Sequence, residues 1–316
     1  MSKEFYALIR KVRDKIERGK MHFSLMTDKI KWNRFCASIY AIEDSQCAID
    51  AYCDLPFPDD INGKYLYTYG LLQAFFLQQD SANGLSFSLR DKKIKWETDY
   101  PLLYKIREIR NNTIGHPTIR THGKGDSATF SFIQIRQTSL NKRGFDYHLY
   151  DQENDFQFKI ENVDLASAII EQQRSITEIL EAVCTYLDQE YYDYLKKFEE
   201  DKMAEIFELL DYSAEKAFED KPMEAWGIDS AKGMVAKCKE ALVARYGAWD
   251  NLDCFHYLIE DIEKIFFLIE RPTEYRNHLQ IKHYMTELAF IKLRELRDLC
   301  QEIDNEFETD LKETLT

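Results

Sequence analysis

An arginine, two asparagines and a histidine fall within seven residues, Arg110-Asn111-Asn112-Thr113-Ile114-Gly115-His116, with Pro117 directly after them. These side chains suit phosphate binding and proton transfer. Arg110 carries a permanent planar charge that can grip two phosphate oxygens. His116, with an ordinary pKa of about 6.5, can take or give a proton near neutrality. Asn111 and Asn112 are mediocre helix formers and read better as hydrogen-bonding groups than as packing residues. On an unbroken α-helix His116 would lie about 240° around the axis from Arg110, and the two side chains could not share a face. Glycine readily takes the left-handed conformation that ends a helix, and proline cannot continue one. The sequence therefore predicts a turn at Gly115 that swings His116 back toward Arg110. The same Gly and Pro also make a plain helix stop, with His116 favourably placed at the carbonyl end of the helix dipole.

The reaction whose needs this set meets is cleavage of RNA by its own 2′-hydroxyl. One group takes the hydroxyl proton, another protonates the leaving 5′-oxygen, and a cation stabilises the charge gathering on the phosphoryl oxygens. His116 can serve as base or acid, Arg110 as the cation, and Asn111 and Asn112 can orient the phosphate or the imidazole. None of these steps requires a metal or a cofactor. A single imidazole per chain leaves one proton transfer without a group, and symmetric pairing of two chains would supply it.

The segment resembles the R-x4-6-H motif of the HEPN superfamily, with five residues between Arg110 and His116 and a polar residue, Asn111, after the arginine. The likeness extends to the helical stretches at residues 40–52 and 69–80 and covers roughly residues 1–190. It implies a helical bundle, a metal-independent ribonuclease activity and an active site shared between two copies at a dimer interface. The expected assembly is a homodimer with RNA as substrate. Glu43, Asp44 and Asp50 on the second helix are candidates to fix Arg107 or Arg110, or else form a solvated face. The competing expectation is a non-catalytic HEPN-like module that dimerises and binds a partner, with the motif only stabilising a helix end.

The charge distribution bears on both readings. The formal net charge is −14, which argues against a protein that coats nucleic acid by electrostatics alone. Residues 86–143 depart from this, with twelve Lys and Arg against five Asp and Glu around the motif. A polyanion could be drawn there, and Arg107, Arg120 and Lys124 are the candidates to hold it; the same run can equally be a solvated face. His116 with His122, and His278 with His283, match no common metal spacing, and Gly123-Lys124-Gly125 is too short for a phosphate-binding loop.

The elements that must position these residues follow from periodicity. Apolar residues at helical spacing predict helices over 2–18, 33–54 and 60–82, then a loop over 81–98. Thr98 or Asp99 is expected to cap a helix that begins near Pro101 and ends at Gly115. Alternation over 128–137, 145–150 and 156–160 predicts a three-stranded antiparallel meander, with a turn at Asn141-Lys142-Arg143-Gly144. A long helix over 163–199 completes the bundle. Helices near 202–219, 223–246, 251–270 and 274–308 follow, the last two forming an αα-hairpin around Arg271-Pro272. Leu288, Ile291, Leu296, Leu299, Ile303 and Phe307 mark the last helix for packing within the chain or against a protein partner. The expected class is mainly α: a HEPN-like bundle over 1–190 with a β-meander near 128–160, and an all-helical C-terminal region over 191–316.

Composition narrows the setting. At 316 residues with 45% hydrophobic residues, the chain can bury a substantial core. No apolar run of about 18 residues occurs, so no membrane span is expected. The seven cysteines include no C-x-x-C pair and fit reduced thiols. With an N-terminus lacking the apolar core of a signal peptide, the expectation is a cytoplasmic protein.

Overall fold

The computed structural model describes residues 2–18, 22, 25, 27–115, 118–122, 129–152, 155–219, 222–247, 249, 252–271 and 278–314. The chain divides into one compact unit of Met1–Lys15 with Asp28–Thr185, and a second of Ile16–Thr27 with Tyr186–Thr316. It is mainly helical, with a small antiparallel sheet between the helices of the first unit. Among the described residues, no helix is long and apolar enough to cross a membrane.

In the first unit, α1 (Ser2–Glu17) buries Phe5, Ile9 and Val12, the stripe its periodicity predicts. Two long helices follow: α2 (Lys29–Asp54) and α3 (Ile61–Arg90). Asp28 caps α2 by accepting from Ile30 N and Lys31 N, and Asp60 caps α3 by accepting from Gly63 N at 2.8 Å. The pair is antiparallel: Arg34 of α2 lies over Phe87 of α3, Gln46 meets Gln78, and Tyr52 meets Tyr67.

α3 runs through the region where the sequence suggests a loop. Ser81, Asn83, Gly84, Ser86 and Ser88 are weak helix formers, but tertiary contacts employ most of them. Asn83 Oδ1 accepts from Ile94 N at 2.8 Å, and Ser86 Oγ donates to Lys92 O at 3.0 Å. A Cβ on Gly84 would stand 2.5 Å from Ser38 Oγ, so glycine lets the two helices approach there. The helix stops at Asp91, whose φ of 53° is left-handed.

A single turn, α4 (Trp96–Asp99), precedes α5 (Pro101–Arg110). Pro101 opens α5 as expected, but neither Thr98 nor Asp99 is its cap. Tyr100 occupies the cap, while Thr98 Oγ1 and Asp99 Oδ2 bond back to Lys95. α5 continues into a wide π-helical turn, Asn111–Gly115.

The meander has four strands rather than three: β1 (Arg120–His122), β2 (Thr129–Ile135), β3 (Gly144–Asp151) and β4 (Phe158–Asp164), hydrogen-bonded in that order. β1 is three residues long, too short to show alternation. In β2, Ser131 and Ile133 are buried while Phe132 and Gln134 are exposed, the two-sided pattern expected of a covered sheet. The 141–144 turn is fastened to the end of α2: Lys142 Nζ donates to Cys53 O and Leu55 O, and Tyr52 Oη donates to Lys142 O at 3.0 Å. The helix after β4, α6 (Leu165–Lys197), returns through the bundle.

Four glutamines with side chains closed to solvent, Gln46, Gln78, Gln79 and Gln172, form a directed hydrogen-bond chain inside this unit. Arg107 donates to Gln79 Oε1 (3.4 Å), Gln79 to Gln172 (2.7 Å), Gln172 to Gln78 (3.0 Å), Gln78 to Gln46 (3.0 Å) and Gln46 to Asp50 (2.8 Å). The second N–H of Gln172 goes to Phe75 O at 3.2 Å. An arginine can only donate and a carboxylate only accept, so the two ends set the direction of every amide between them.

The second unit contains a 3₁₀ turn (Met203–Phe207), α7 (Leu210–Lys216), α8 (Met223–Tyr246), α9 (Asp253–Glu270) and α10 (His278–Thr314). The helix expected over 202–219 is thus a 3₁₀ turn and a short helix. Its core includes Leu242, Ile262, Phe266, Leu293, Leu296 and Cys300. On α10, Leu296 and Ile303 are buried as expected, whereas Leu288 and Ile291 are 41% and 51% exposed; Ala289, Phe290 and Leu293 take the inward stripe. Pro272, in the expected hairpin turn, lies outside the described residues.

Two predictions follow from the first unit. Gln172→Ala leaves buried groups on Gln78 and Gln79 without partners. At about 1–3 kcal/mol for each orphaned group, it should lower the unfolding free energy measured in urea by roughly 2–6 kcal/mol. Stability should also fall at high pH. Burial, with Cys53 nearby, pushes the Tyr52 phenol from 10.0 up to about 12. The folded chain therefore holds this proton more tightly than the unfolded one, and the contribution is complete below pH 10 and lost between pH 10 and 12. Urea titrations across that range should show a steep decline that Tyr52→Phe makes shallower.

Candidate active site

Arg110 ends α5 against α3. Its Nε and Nη2 donate to Gln73 Oε1 at 3.3 and 3.0 Å, Nη1 donates to Asn111 Oδ1 at 3.2 Å, and the guanidinium lies over the Phe76 ring at 4.1 Å. Gln73 and Phe76 are three apart on α3 and so present one acceptor and one ring on the same face. One turn earlier on α5, Arg107 packs on the same ring at 4.3 Å and pairs with Asp80 at 2.8 Å.

Gly115 plays a different part from the one its sequence context suggests. It does not enter the left-handed region; among the described glycines Gly247 alone does so. Gly115 closes the π-helical turn, and a Cβ there would stand 2.9 Å from Arg110 Nη1. It provides room for the guanidinium to lie against the backbone, and the wide turn replaces the expected left-handed stop. His116 and Lys124 lie outside the described residues.

Asn111 and Asn112 both act as hydrogen-bonding groups, on different partners. Asn111 accepts from Arg110, whereas Asn112 Oδ1 accepts from Arg120 Nη1, and Arg120 Nη2 pairs with Glu108. Arg120 thereby ties β1 to α5 and to the π-helical turn. Tyr147 of β3 joins this group; burial raises its phenol pKa, and a hydrogen bond with Asn112 opposes the shift.

The second-helix carboxylates do not reach the arginines of α5. Glu43 pairs with Arg13 of α1 at 2.6 Å, Asp44 is exposed, and Asp50 accepts from Tyr6 Oη and Gln46. Glu43 and Asp50 are seven apart, hence on one face of α2, and that face meets α1. The residues that hold the α5 arginines are Gln73, Phe76, Asp80 and Gln79 of α3. Their i, i+3, i+7 spacing at 73, 76 and 80 is visible in the sequence, but which helix they face is not.

The basic segment is thus only partly uncompensated. Arg107 is neutralised by Asp80, Arg120 by Glu108, and Arg136 faces Asp146 at 3.4 Å. Among the described residues no carboxylate lies within ion-pair distance of Arg110; its contacts are an amide on each side and an aromatic ring. No cluster of three or more His, Cys, Asp or Glu side chains that could hold a metal ion occurs among the described residues.

Comparison with models of known families, with curated proteins and with solved structures finds no match to this chain.

The close approach of Gly115 and Arg110 can be tested directly. Gly115→Ala should leave cooperative unfolding intact but shift the NMR signal of Arg110 Nε–Hε, because a methyl group displaces the guanidinium from Gln73. The Arg120 signal, on the other side of the π-helical turn, should stay where it is. An unmoved Arg110 signal would contradict the steric role given to this glycine.

Proposed function

We propose that this protein is a HEPN-like, metal-independent endoribonuclease that cleaves RNA by 2′-hydroxyl transesterification at a site shared by two copies of the chain. The observation that carries the reading is Arg110: a cation positioned by two neutral amides and a ring, with its charge left uncompensated by any described carboxylate. A phosphoryl group gathering negative charge can supply the missing counter-charge, and a guanidinium already held in place needs little reorganisation to meet it. In the reaction, one His116 takes the proton from the ribose 2′-hydroxyl as O2′ bonds to phosphorus. The bond from phosphorus to O5′ breaks, and the leaving oxygen takes a proton from the second imidazole, contributed by the partner copy. Asn111 keeps Arg110 oriented. Arg107 and Arg120, each already paired with a carboxylate, serve this site as positioning groups rather than as phosphate ligands.

A specific observation favours the second reading, a non-catalytic module that dimerises and binds a protein partner. Tyr284, Leu288 and Ile291 of α10, spaced i, i+4 and i+7, are 60%, 41% and 51% exposed, an apolar stripe of the kind a partner helix covers.

The two readings separate in one assay. Purified protein should cleave single-stranded RNA in EDTA, leave 2′,3′-cyclic phosphate ends and spare DNA, which lacks the attacking hydroxyl. Arg110→Ala and His116→Ala should each lower the rate by about 10²- to 10⁴-fold while the fold persists. Light scattering should report a dimer. Cleavage unchanged in His116→Ala, or absent from the wild type across varied RNAs, would count for the binding module.

A further inference from the structure

One stripe of α3 seats a row of cations that extends well beyond Arg110. Gln73, Phe76, Asp80, Asn83 and Phe87 recur at alternating spacings of three and four, so they line a single face of the helix. Arg110 lies on Gln73 and Phe76, and Arg107 on Phe76 and Asp80. Asn83 holds the backbone of Ile94, which brings the 92–95 loop onto the same stripe. Lys93 Nζ then sits 5.6 Å from the centre of the Phe87 ring, and the Arg34 guanidinium of α2 lies 4.6 Å from that centre. From Gln73 to Phe87 the stripe measures about 21 Å at 1.5 Å per residue.

The carboxylates near this row compensate it incompletely. Asp80 is taken by Arg107 and Asp91 by Lys31, and Asp99 bonds to the Lys95 backbone and to Thr98. Among the described residues Arg34 and Arg110 have no carboxylate within ion-pair distance, and Lys92, Lys93 and Lys95 are exposed. In a chain of net charge −14, such a row stands out as the place for a polyanion. The two phenylalanines matter as well. A guanidinium laid on an aromatic ring keeps its edges for phosphate oxygens and its outer face for a base to stack on. One row of cations with interleaved rings fits one phosphate chain with unpaired bases; a duplex presents two chains and hides its bases.

We infer that this α3 stripe, from Arg110 through Lys93 to Arg34, is a binding track for single-stranded RNA that leads to the Arg110 site, with Arg107 held by Asp80 as a positioning group between them. The identity of the polyanion rests on the ribonuclease reading, while the track itself is tested by binding alone. Arg34 and Lys93 are the phosphate ligands distant from the site, and Phe87 is their common seat.

The test uses the full chain and a fluorescent single-stranded 2′-O-methyl RNA, which cannot undergo cleavage through its 2′-oxygens, titrated by anisotropy at several salt concentrations. The Arg34→Ala, Lys93→Ala double variant should flatten the slope of log K against log salt by about 1.4, which is roughly 20-fold weaker binding at 0.1 M salt. Lys93→Ala alone, at an exposed position, should give about half that slope change. Arg34→Lys, which keeps the charge, should keep the slope. Binding that depends on both residues in a protein that cleaves no natural RNA would uphold the track and sink the ribonuclease reading. RNA binding with a slope unchanged in the double variant would overturn the track, even if cleavage at Arg110 and His116 were demonstrated. Failure of the RNA to bind, with vesicles of phosphatidylserine and phosphatidylcholine captured through Arg34 and Lys93 instead, would overturn it too.

Discussion

The first unit depends on a buried line of amides that runs from Arg107 on α5 through Gln79, Gln172, Gln78 and Gln46 to Asp50 on α2. Four helices contribute to it, and α1 joins where Tyr6 Oη donates to Asp50 at 3.2 Å. Burying four primary amides is costly unless each finds partners, and here each one donates to the next. The arrangement tolerates little sliding of α3 against α2 or α6, because a shift of one residue would leave several polar groups unpaired at once. The line also ends on the arginine next to the candidate site, so the packing that defines the bundle helps fix where α5 lies on α3.

The candidate site inherits its geometry from that constraint. With α5 held on α3, Phe76 receives two guanidinium groups, and the acceptors Gln73 and Asp80 divide them between a neutral and an ionised partner. The division separates two arginines of one helix by role: Arg107 is consumed in structure, and Arg110 keeps its charge. On the opposite side of the π-helical turn, Arg120 performs the same structural service for the sheet through Glu108 and Asn112. The extra width of that turn places successive asparagines on different partners, Asn111 on α5 and Asn112 toward β1 and β3.

The second unit offers a different physical character. Its core is a continuous apolar cluster around Leu242, Ile262, Phe266, Leu293 and Cys300, and its last helix leaves Tyr284, Leu288 and Ile291 in solvent. The buried amides and the cations seated on α3 belong to the first unit. The candidate site and the row of cations therefore lie in the first unit, and the exposed apolar stripe on α10 belongs to the second.

Much of this architecture was legible in the sequence. The 3.6-residue period located the long helices, the change to alternation located the sheet, and Pro101 and Gly115 bounded the α5 segment and its continuation, because these signals depend on local backbone preference and on one face being buried. The hydrogen-bonding groups of Asn111 and Asn112 and the cation of Arg110 were likewise legible, as they depend only on which groups are present. What tertiary structure decided was partnership. Ser81 to Ser88 read as a loop until Asn83, Gly84 and Ser86 found neighbours on another segment, and a three-residue β1 carries no period of its own. Glu43 and Asp50 looked available to the α5 arginines because a one-dimensional chain does not say which helix a face will meet. Gly115 looked like a hinge of the left-handed kind, when its lack of a side chain serves Arg110 instead. Propensity and period are properties of a few consecutive residues, whereas the charge left uncompensated at Arg110 is settled by side chains dozens of positions away that only the folded chain brings within 4 Å.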